Sequence, residues 1–310
     1  MQRLLIDTDP GVDDALALLM AYTHPRAKVE ALTITAGNVG IEHTLRNALN
    51  LVELVGADTP VFAGCEAPLV RPAEDAAFVH GRDGFGDVGL PIPARAAAGE
   101  HAAAAMVRLA QAVPGELVFV MLGPLSNLAL ALKLDPGLPG RVRRLVVMGG
   151  AVTGHGNVSR VTSEFNFHFD PEAAAIVFDA WPQLELVDWE ATLRHAIPFA
   201  DISAWLASGH AHARFYDAIS RKTRDWMQEQ RKLANWHAAD ALAMAVALDA
   251  DAVEQWETRA VRIELDGALT RGMSVVDWSR RAGWREQSRI LMRYDSVRFA
   301  ELIRVALISS

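Results

Sequence analysis

Four aspartates, Asp7, Asp9, Asp13 and Asp14, fall within eight residues of the stretch LLIDTDPGVDDALALL. They stand where an apolar run gives way to an amphipathic one. Side chains alternate along a strand, so Asp7 and Asp9 point to the same side. Pro10-Gly11 turns the chain, and Asp13 and Asp14 fall near the first turn of the helix that follows. A helix N-terminus favours acidic groups through its dipole and its unpaired N–H groups, which accounts for one or two of the four. Four carboxylates in a partly buried crevice would repel one another and resist desolvation. A bound cation offsets that cost. An all-oxygen donor set selects a hard ion, Ca²⁺ or Mg²⁺, over zinc.

The same corner admits a second chemistry. A phosphohydrolase with Mg²⁺ and an aspartyl nucleophile needs a second aspartate two residues on, and Asp7 with Asp9 meets that spacing. Such enzymes usually have a threonine shortly after. Here Pro10-Gly11-Val12 follows, and no Lys or Arg for a phosphate lies on the segment.

The elements that must position these groups are legible from their periods. RLLIDTD reads as a strand and Asp13 to Tyr22 as a helix. VEALTITAGN is a strand and Glu42 to Val55 a helix, followed by the strand PVFAG. LVFVMLG leads through PLSN into the helix LALALKL, and RRLVVMGG ends a further strand on paired glycines. PEAAAIVFDA is a helix and LELV a short strand. Apolar strands between helices imply an α/β fold, a mostly parallel, Rossmann-like central sheet covered on both faces. Such sheets bind ligands beyond the carboxyl ends of their strands. Residues 200 to 248 read as helices, a C-terminal helical lid region. The strands TRAVRIEL and SRILMRYD flank a loop RGMSVVDW, and a final helix runs from about Val297 to Leu307. No composition shift marks a linker, so residues 1–310 are expected to form a single domain.

Composition narrows the classes. Half of the 310 residues are hydrophobic and the net charge is -8, which argues against a nucleic-acid partner held through phosphates. The single cysteine, Cys65, allows no internal disulfide. It fits a reducing, cytoplasmic setting and reads as a small buried hydrophobe rather than a nucleophile. No apolar run reaches the roughly 18 residues of a membrane span. No charged n-region and apolar h-region mark a secretory signal.

DTDPGVDDALAL resembles the N-terminal signature of the inosine–uridine-preferring nucleoside hydrolases, which cleave ribonucleosides to ribose and base. TAGN, VHGRDGFGD, LGPLSNLALAL, VVMGGA, Gly156-Asn157, EFNFHFDPEAA and DALAMAVALD follow in the family's order across nearly the whole chain. The resemblance implies one Ca²⁺ held by Asp9, Asp14, Asp240 and the backbone carbonyl of Leu122, with Asp7 in support. It implies Asp9 as general base on a water that attacks the anomeric carbon. It places Asp13, Asn38, Asn157, Glu164 and Asn166 on ribose, Met148 packed against it, and His80 near sugar or base. Its relatives are commonly dimers or tetramers, so it implies a homo-oligomer.

Glu164 and Asn166, at spacing two on an expected extended segment, can face one ligand together, and their groups suit a polyhydroxylated sugar. One branch of the family carries a histidine immediately before the last calcium aspartate, and a purine-specific branch a tryptophan. This chain has Ala239 there, with Trp236 and His237 just upstream. His237, one helical turn before Asp240, is the candidate acid for the leaving base. The helix FYDAISRKTRDWMQEQRKL supplies Trp226 as a lid residue able to stack on a base, with Gln230 and Arg231 beside it. A calcium- or ribose-binding homologue without turnover is the alternative outside enzymes, and Ala239 is the residue that admits it.

Overall fold

The first strand, β1 (Gln2–Thr8), is buried on both sides. Leu4 and Ile6 point into one apolar layer and Leu5 into another, so helices must cover both faces. Each such buried Leu or Ile contributes about 1.5–3 kcal/mol. The structure is a computed structural model that describes residues 1–308.

The chain continues through α1 (Val12–Thr23), β2 (Ala27–Ile34), α2 (Ile41–Leu54), β3 (Val61–Ala63), α3 (Ala77–His80) and α4 (Ala102–Ala112). Next come β4 (Leu117–Met121), α5 (Ser126–Leu134), β5 (Arg144–Met148), α6 (Phe165–Phe169), α7 (Pro171–Ala180), β6 (Leu184–Val187) and α8 (Trp189–Arg194). Beyond them lie β7 (Ile197–Pro198), α9 (Phe199–Leu206), α10 (Ala211–Asp225), β8 (Asn235–Trp236) and α11 (Ala239–Leu248). The chain closes with β9 (Val253–Arg259), β10 (Val261–Ile263), β11 (Ser274–Val276), β12 (Ser288–Tyr294) and α12 (Ser296–Ile308).

Eight strands form the central sheet in the order β3-β2-β1-β4-β5-β6-β12-β9. All neighbours are parallel except β9, which runs antiparallel to β12. The first six follow the doubly wound order 3-2-1-4-5-6, whose direction of winding reverses between β1 and β4. A crevice opens there at the carboxyl ends, where β1 delivers its aspartates. No helix among the described residues is long and apolar enough to cross a membrane.

Four local expectations need correction. EFN is not extended: Glu164 caps α6, and Asn166 lies inside that helix. RGMSVVDW is not all loop, because Ser274–Val276 pairs as β11 with β10. TRAVRIEL is not one strand; it breaks at Ala260, where the chain leaves the main sheet for this hairpin. The stretch before Asp240 is not helical: α11 begins only at Ala239, and Trp236 belongs to the short strand β8.

Candidate active site

Helix α1 forms because Ala, Leu and Met are strong helix formers, and its first turn is built from the acid corner itself. Asp14 accepts the Gly11 N–H at 3.0 Å, the Thr8 hydroxyl at 2.5 Å and the Asn38 amide at 3.0 Å. Capping therefore explains Asp14 locally and leaves the others unexplained. Asp9 Oδ2 accepts the Asn38 N–H at 2.7 Å, and Asn38 Nδ2 also reaches the Asp9 carbonyl at 3.1 Å. The Asn38 amide thus knits the corner together.

The Asp9 carboxylate is wedged between two glycines. A Cβ on Gly37 would lie 2.1 Å from Asp9 Oδ2, and one on Gly123 would lie 2.4 Å from Oδ1. Asp240 enters from the first turn of α11, the far end of which is held by Arg144 donating to the Val246 and Ala247 carbonyls at 3.1 and 3.2 Å. Carboxylate oxygens of Asp13, Asp14 and Asp240 lie within 4.8 Å of one another.

Electrostatics follow from this crowding. Burial, then the charges of Asp13, Asp14 and Asp9, push the Asp240 carboxyl well above the usual range. Burial and the Asp14 charge do the same to Asp9. Burial pushes Asp13 up to about 6. Three carboxylates this close, two buried and Asp13 half-buried, fit a hard divalent cation, which supplies the charge their surroundings lack. The tight cluster is Asp13, Asp14 and Asp240, with Asp9 beside it, so Asp13 belongs to the group that could hold a metal. Asp7 stands apart. It is fully buried, accepts the Asn127 amide at 2.9 Å, and is pushed to about 7 by burial.

These groups open onto a cavity of about 500 Å³, within the range of small-molecule sites. Asp9, Asp13, Asn38, His80, Leu122, Met148, Asn157, Glu164, Asn166, Trp226, His237 and Asp240 all line it. Asp7, Asp14 and Gln230 are not among its walls. The Leu122 carbonyl accepts the Asn166 amide at 2.6 Å, and the same amide lies 3.3 Å from the Met148 sulfur. Glu164 Oε1 accepts the Asn166 N–H and Oε2 the Gly150 N–H, both at 2.8 Å. Burial outweighs those donors and raises Glu164 to about 7.

His80 Nδ1 accepts the Val12 N–H at 3.1 Å. Burial lowers this ring to about 4, against the pull of Asp14. A neutral ring that accepts at Nδ1 carries its proton on Nε2. His237 reaches the cavity from the extended segment before α11 rather than from a helical turn, and burial lowers its pKa. Cys65 is buried, and burial with the Asp7 and Asp170 charges raises its thiol to about 12, which disfavours the thiolate that a nucleophile needs.

Aromatic groups also line the cavity. Trp226 opens a π-helical turn, Trp226–Gln230, that prolongs α10. Phe78 stands edge-on to it at 6.1 Å, and the Arg231 guanidinium lies 5.5 Å from its ring centre. Phe78 and Trp189 are wall residues that the sequence pattern did not single out. Trp189 stands two residues after the end of β6, and the rule that ligands gather at strand carboxyl ends was the available signal.

Residues 4–301 match the family model described as inosine-uridine preferring nucleoside hydrolase. Uridine nucleosidase 1 of Arabidopsis thaliana is 34% identical over 268 residues, 86% of this chain and 79% of that one. The pyrimidine-specific ribonucleoside hydrolase RihA of Salmonella arizonae is 33% identical over 309 residues, 97% of this chain and 96% of that one. Among solved structures, a plant nucleoside hydrolase, the PpNRh1 enzyme, superposes with a TM-score of 0.92 at 29% identity, covering 100% of this chain and 99% of that one.

Proposed function

The chain belongs to the inosine-uridine preferring nucleoside hydrolase family, and we propose that it hydrolyses the N-glycosidic bond of ribonucleosides to ribose and free base, with uridine the first substrate to test. The single observation that carries this reading is the cavity itself. Its lining combines a carboxylate cluster, Glu164 and Asn166 with the aromatic rings of Trp189, Trp226 and Phe78. The first group suits a sugar and a cation, and the second suits a planar base.

Asp9, Asp14, Asp240 and the Leu122 carbonyl would hold calcium, with Asp13 at its edge and Asp7 supporting from behind. Bound there, calcium would grip the ribose hydroxyls and make a neighbouring water more acidic. Asp9 takes a proton from the attacking water as its oxygen bonds to the anomeric carbon. The bond from that carbon to the base nitrogen breaks through an oxocarbenium-like state. Asp13, Asn38, Asn157, Glu164 and Asn166 hold the sugar, with Met148 packed beneath it. His80 directs its Nε2–H toward the substrate. His237 gives a proton to the departing base, and burial makes its imidazolium a stronger acid and a scarcer one.

Chromatography of a uridine digest tests the reading. Uracil and ribose in equal amounts support it. Phosphate released from uridine monophosphate would favour the phosphohydrolase, although Asp7 is sealed from the cavity and Arg231 at the mouth is the one Lys or Arg on its walls. Tight binding without products would favour a binding homologue.

A further inference from the structure

The sugar side of the cavity depends on residues 150–164, the segment between β5 and α6 that carries Asn157 to the rim and Glu164 to its floor. This segment has no regular structure up to Glu164, so its backbone N–H groups need partners from elsewhere. Three of them find partners at the N-terminus of α8, which also donates one hydrogen bond back to the segment. The Trp189 N–H donates to the Gly150 carbonyl at 2.9 Å. Asp188, the cap of α8, accepts the Val152 N–H at 3.1 Å. Glu190 does most. Its Oε1 accepts the Thr153 and His155 N–H groups at 2.9 and 3.0 Å, and its Oε2 accepts the Thr153 hydroxyl at 2.8 Å.

Asn157 follows two residues after His155. Its own N–H donates to the Ser163 carbonyl at 3.1 Å, and the Gly156 N–H reaches the Val161 carbonyl at 2.7 Å. The segment therefore closes on itself beyond Gly156 and is anchored before it by Glu190. Glu190 is 6% exposed and is not among the cavity walls, so it touches no substrate. Between Asp188 and Glu190 stands Trp189, which lines the cavity and meets His237 edge-on. The cap and first two residues of α8 thus tie the sugar segment to the aromatic lining of the cavity.

We propose that Glu190 is a positioning residue for ribose recognition, fixing Asn157 and the segment around it through three acceptor contacts to Thr153 and His155. The proposal rests on the reading of the cavity as a ribonucleoside site. All three donors are neutral, so no ion pair is lost with the charge, and a neutral acceptor in the same position keeps the anchoring through somewhat weaker hydrogen bonds. Glutamine satisfies the same set: its carbonyl accepts both N–H groups, and its NH₂ donates to the Thr153 hydroxyl.

The test pairs uridine kinetics with amide hydrogen exchange on the calcium-loaded protein. Glu190→Ala is expected to raise KM about 10-fold while kcat falls less, since a loosened sugar contact weakens binding of ground and transition states alike. Its Thr153 and His155 amides exchange faster, and calcium affinity is unchanged, because Asp13, Asp14 and Asp240 sit on other elements. Glu190→Gln is expected to stay within about twofold of wild type. A general fold defect would instead reduce the active fraction, hence apparent kcat, and leave KM alone. Should Glu190→Ala not fold, Thr153→Ala decides, with KM raised about threefold for its one lost contact.

Glu190→Gln as impaired as Glu190→Ala, or either alanine variant with wild-type KM, overturns the proposal. If the wild-type protein cleaves no ribonucleoside, the parent reading fails. Exchange then judges the anchoring alone, and unchanged protection at Thr153 and His155 in Glu190→Ala overturns it.

Discussion

His237 stands edge-on to Trp189, with ring centroids 5.6 Å apart and planes at 89°. The contact holds the imidazole in the cavity lining although it lies outside α11, three residues before Asp240. Proton donation by a positioned side chain is worth about 10²–10⁴-fold. His237→Ala is therefore expected to slow uridine hydrolysis about 100-fold, within that range. A riboside whose leaving group departs readily as an anion, such as p-nitrophenyl riboside, is expected to lose much less. Equal losses on both substrates would remove His237 from the leaving-group role.

Gly37 should be intolerant of any side chain. Its Cβ would meet Asp9 Oδ2 at 2.1 Å, with the Pro124 ring at 2.9 Å closing the other way out. Gly37→Ala is expected to displace the Asp9 carboxylate and lower kcat about 100-fold, since small misplacements carry such costs. Steady-state kinetics with calorimetric unfolding of the same variant checks this. Wild-type kcat in a folded Gly37→Ala protein would show that Asp9 need not sit where it does.

Calcium should stabilise the fold through the acid cluster. At 100 times its Kd, a ligand that binds only the native state adds about 2.7 kcal/mol. Melting curves with and without calcium are expected to show such a gain for wild type and little for Asp240→Asn. That variant keeps the shape of the cluster and removes one charge from its crowded oxygens. Equal gains in both proteins would move the cation elsewhere.

Buried carboxyls with raised pKa, Asp188 and Glu164 among them, give the chelated protein an acid-side preference. Asp188 is raised to about 6 by burial, helped by the Glu190 charge, and Glu164 to about 7 by burial. Both bind protons more tightly in the folded state than in the unfolded one. Their contribution is fully present below pH about 4, where the unfolded groups are also protonated, and is lost as pH rises through 6 and 7. A tenfold difference in proton affinity between the two states is worth about 1.4 kcal/mol. Urea unfolding of chelated protein is expected to show stability falling from pH 4 toward pH 7 from these groups, and Glu164→Gln to flatten the slope. A slope unchanged in that variant would contradict the assignment.

Much of this was written in local patterns. The aspartate corner, the alternating strands and the glycines after β5 depend on neighbours in sequence, and period and residue type announce them. Asp9 and Asp14 stood out because carboxylates crowded at a strand end and helix start need a reason to be there, whereas Asp240 came only from the resemblance of DALAMAVALD to the family. The helical state of Asn166 was hidden, because a cap by Glu164 looks in sequence like an acid on a strand. The role of Glu190 was hidden too, since its partners, Thr153 and His155, lie more than thirty residues away and meet it only through backbone groups and one hydroxyl. Phe78 and Trp189 reach the cavity through tertiary packing that no local period encodes.

The most direct test of the central claim is ribose release from uridine by wild type and Asp9→Asn, each with calcium and after chelation. Ribose and uracil are expected in equal amounts from the wild type. Chelation should abolish release and added calcium restore it, and Asp9→Asn should retain about a thousandth of the rate, as expected for a lost general base. Full activity in folded Asp9→Asn would contradict the account. So would the absence of ribose from uridine, inosine, adenosine, guanosine and cytidine alike in calcium-loaded, folded wild type.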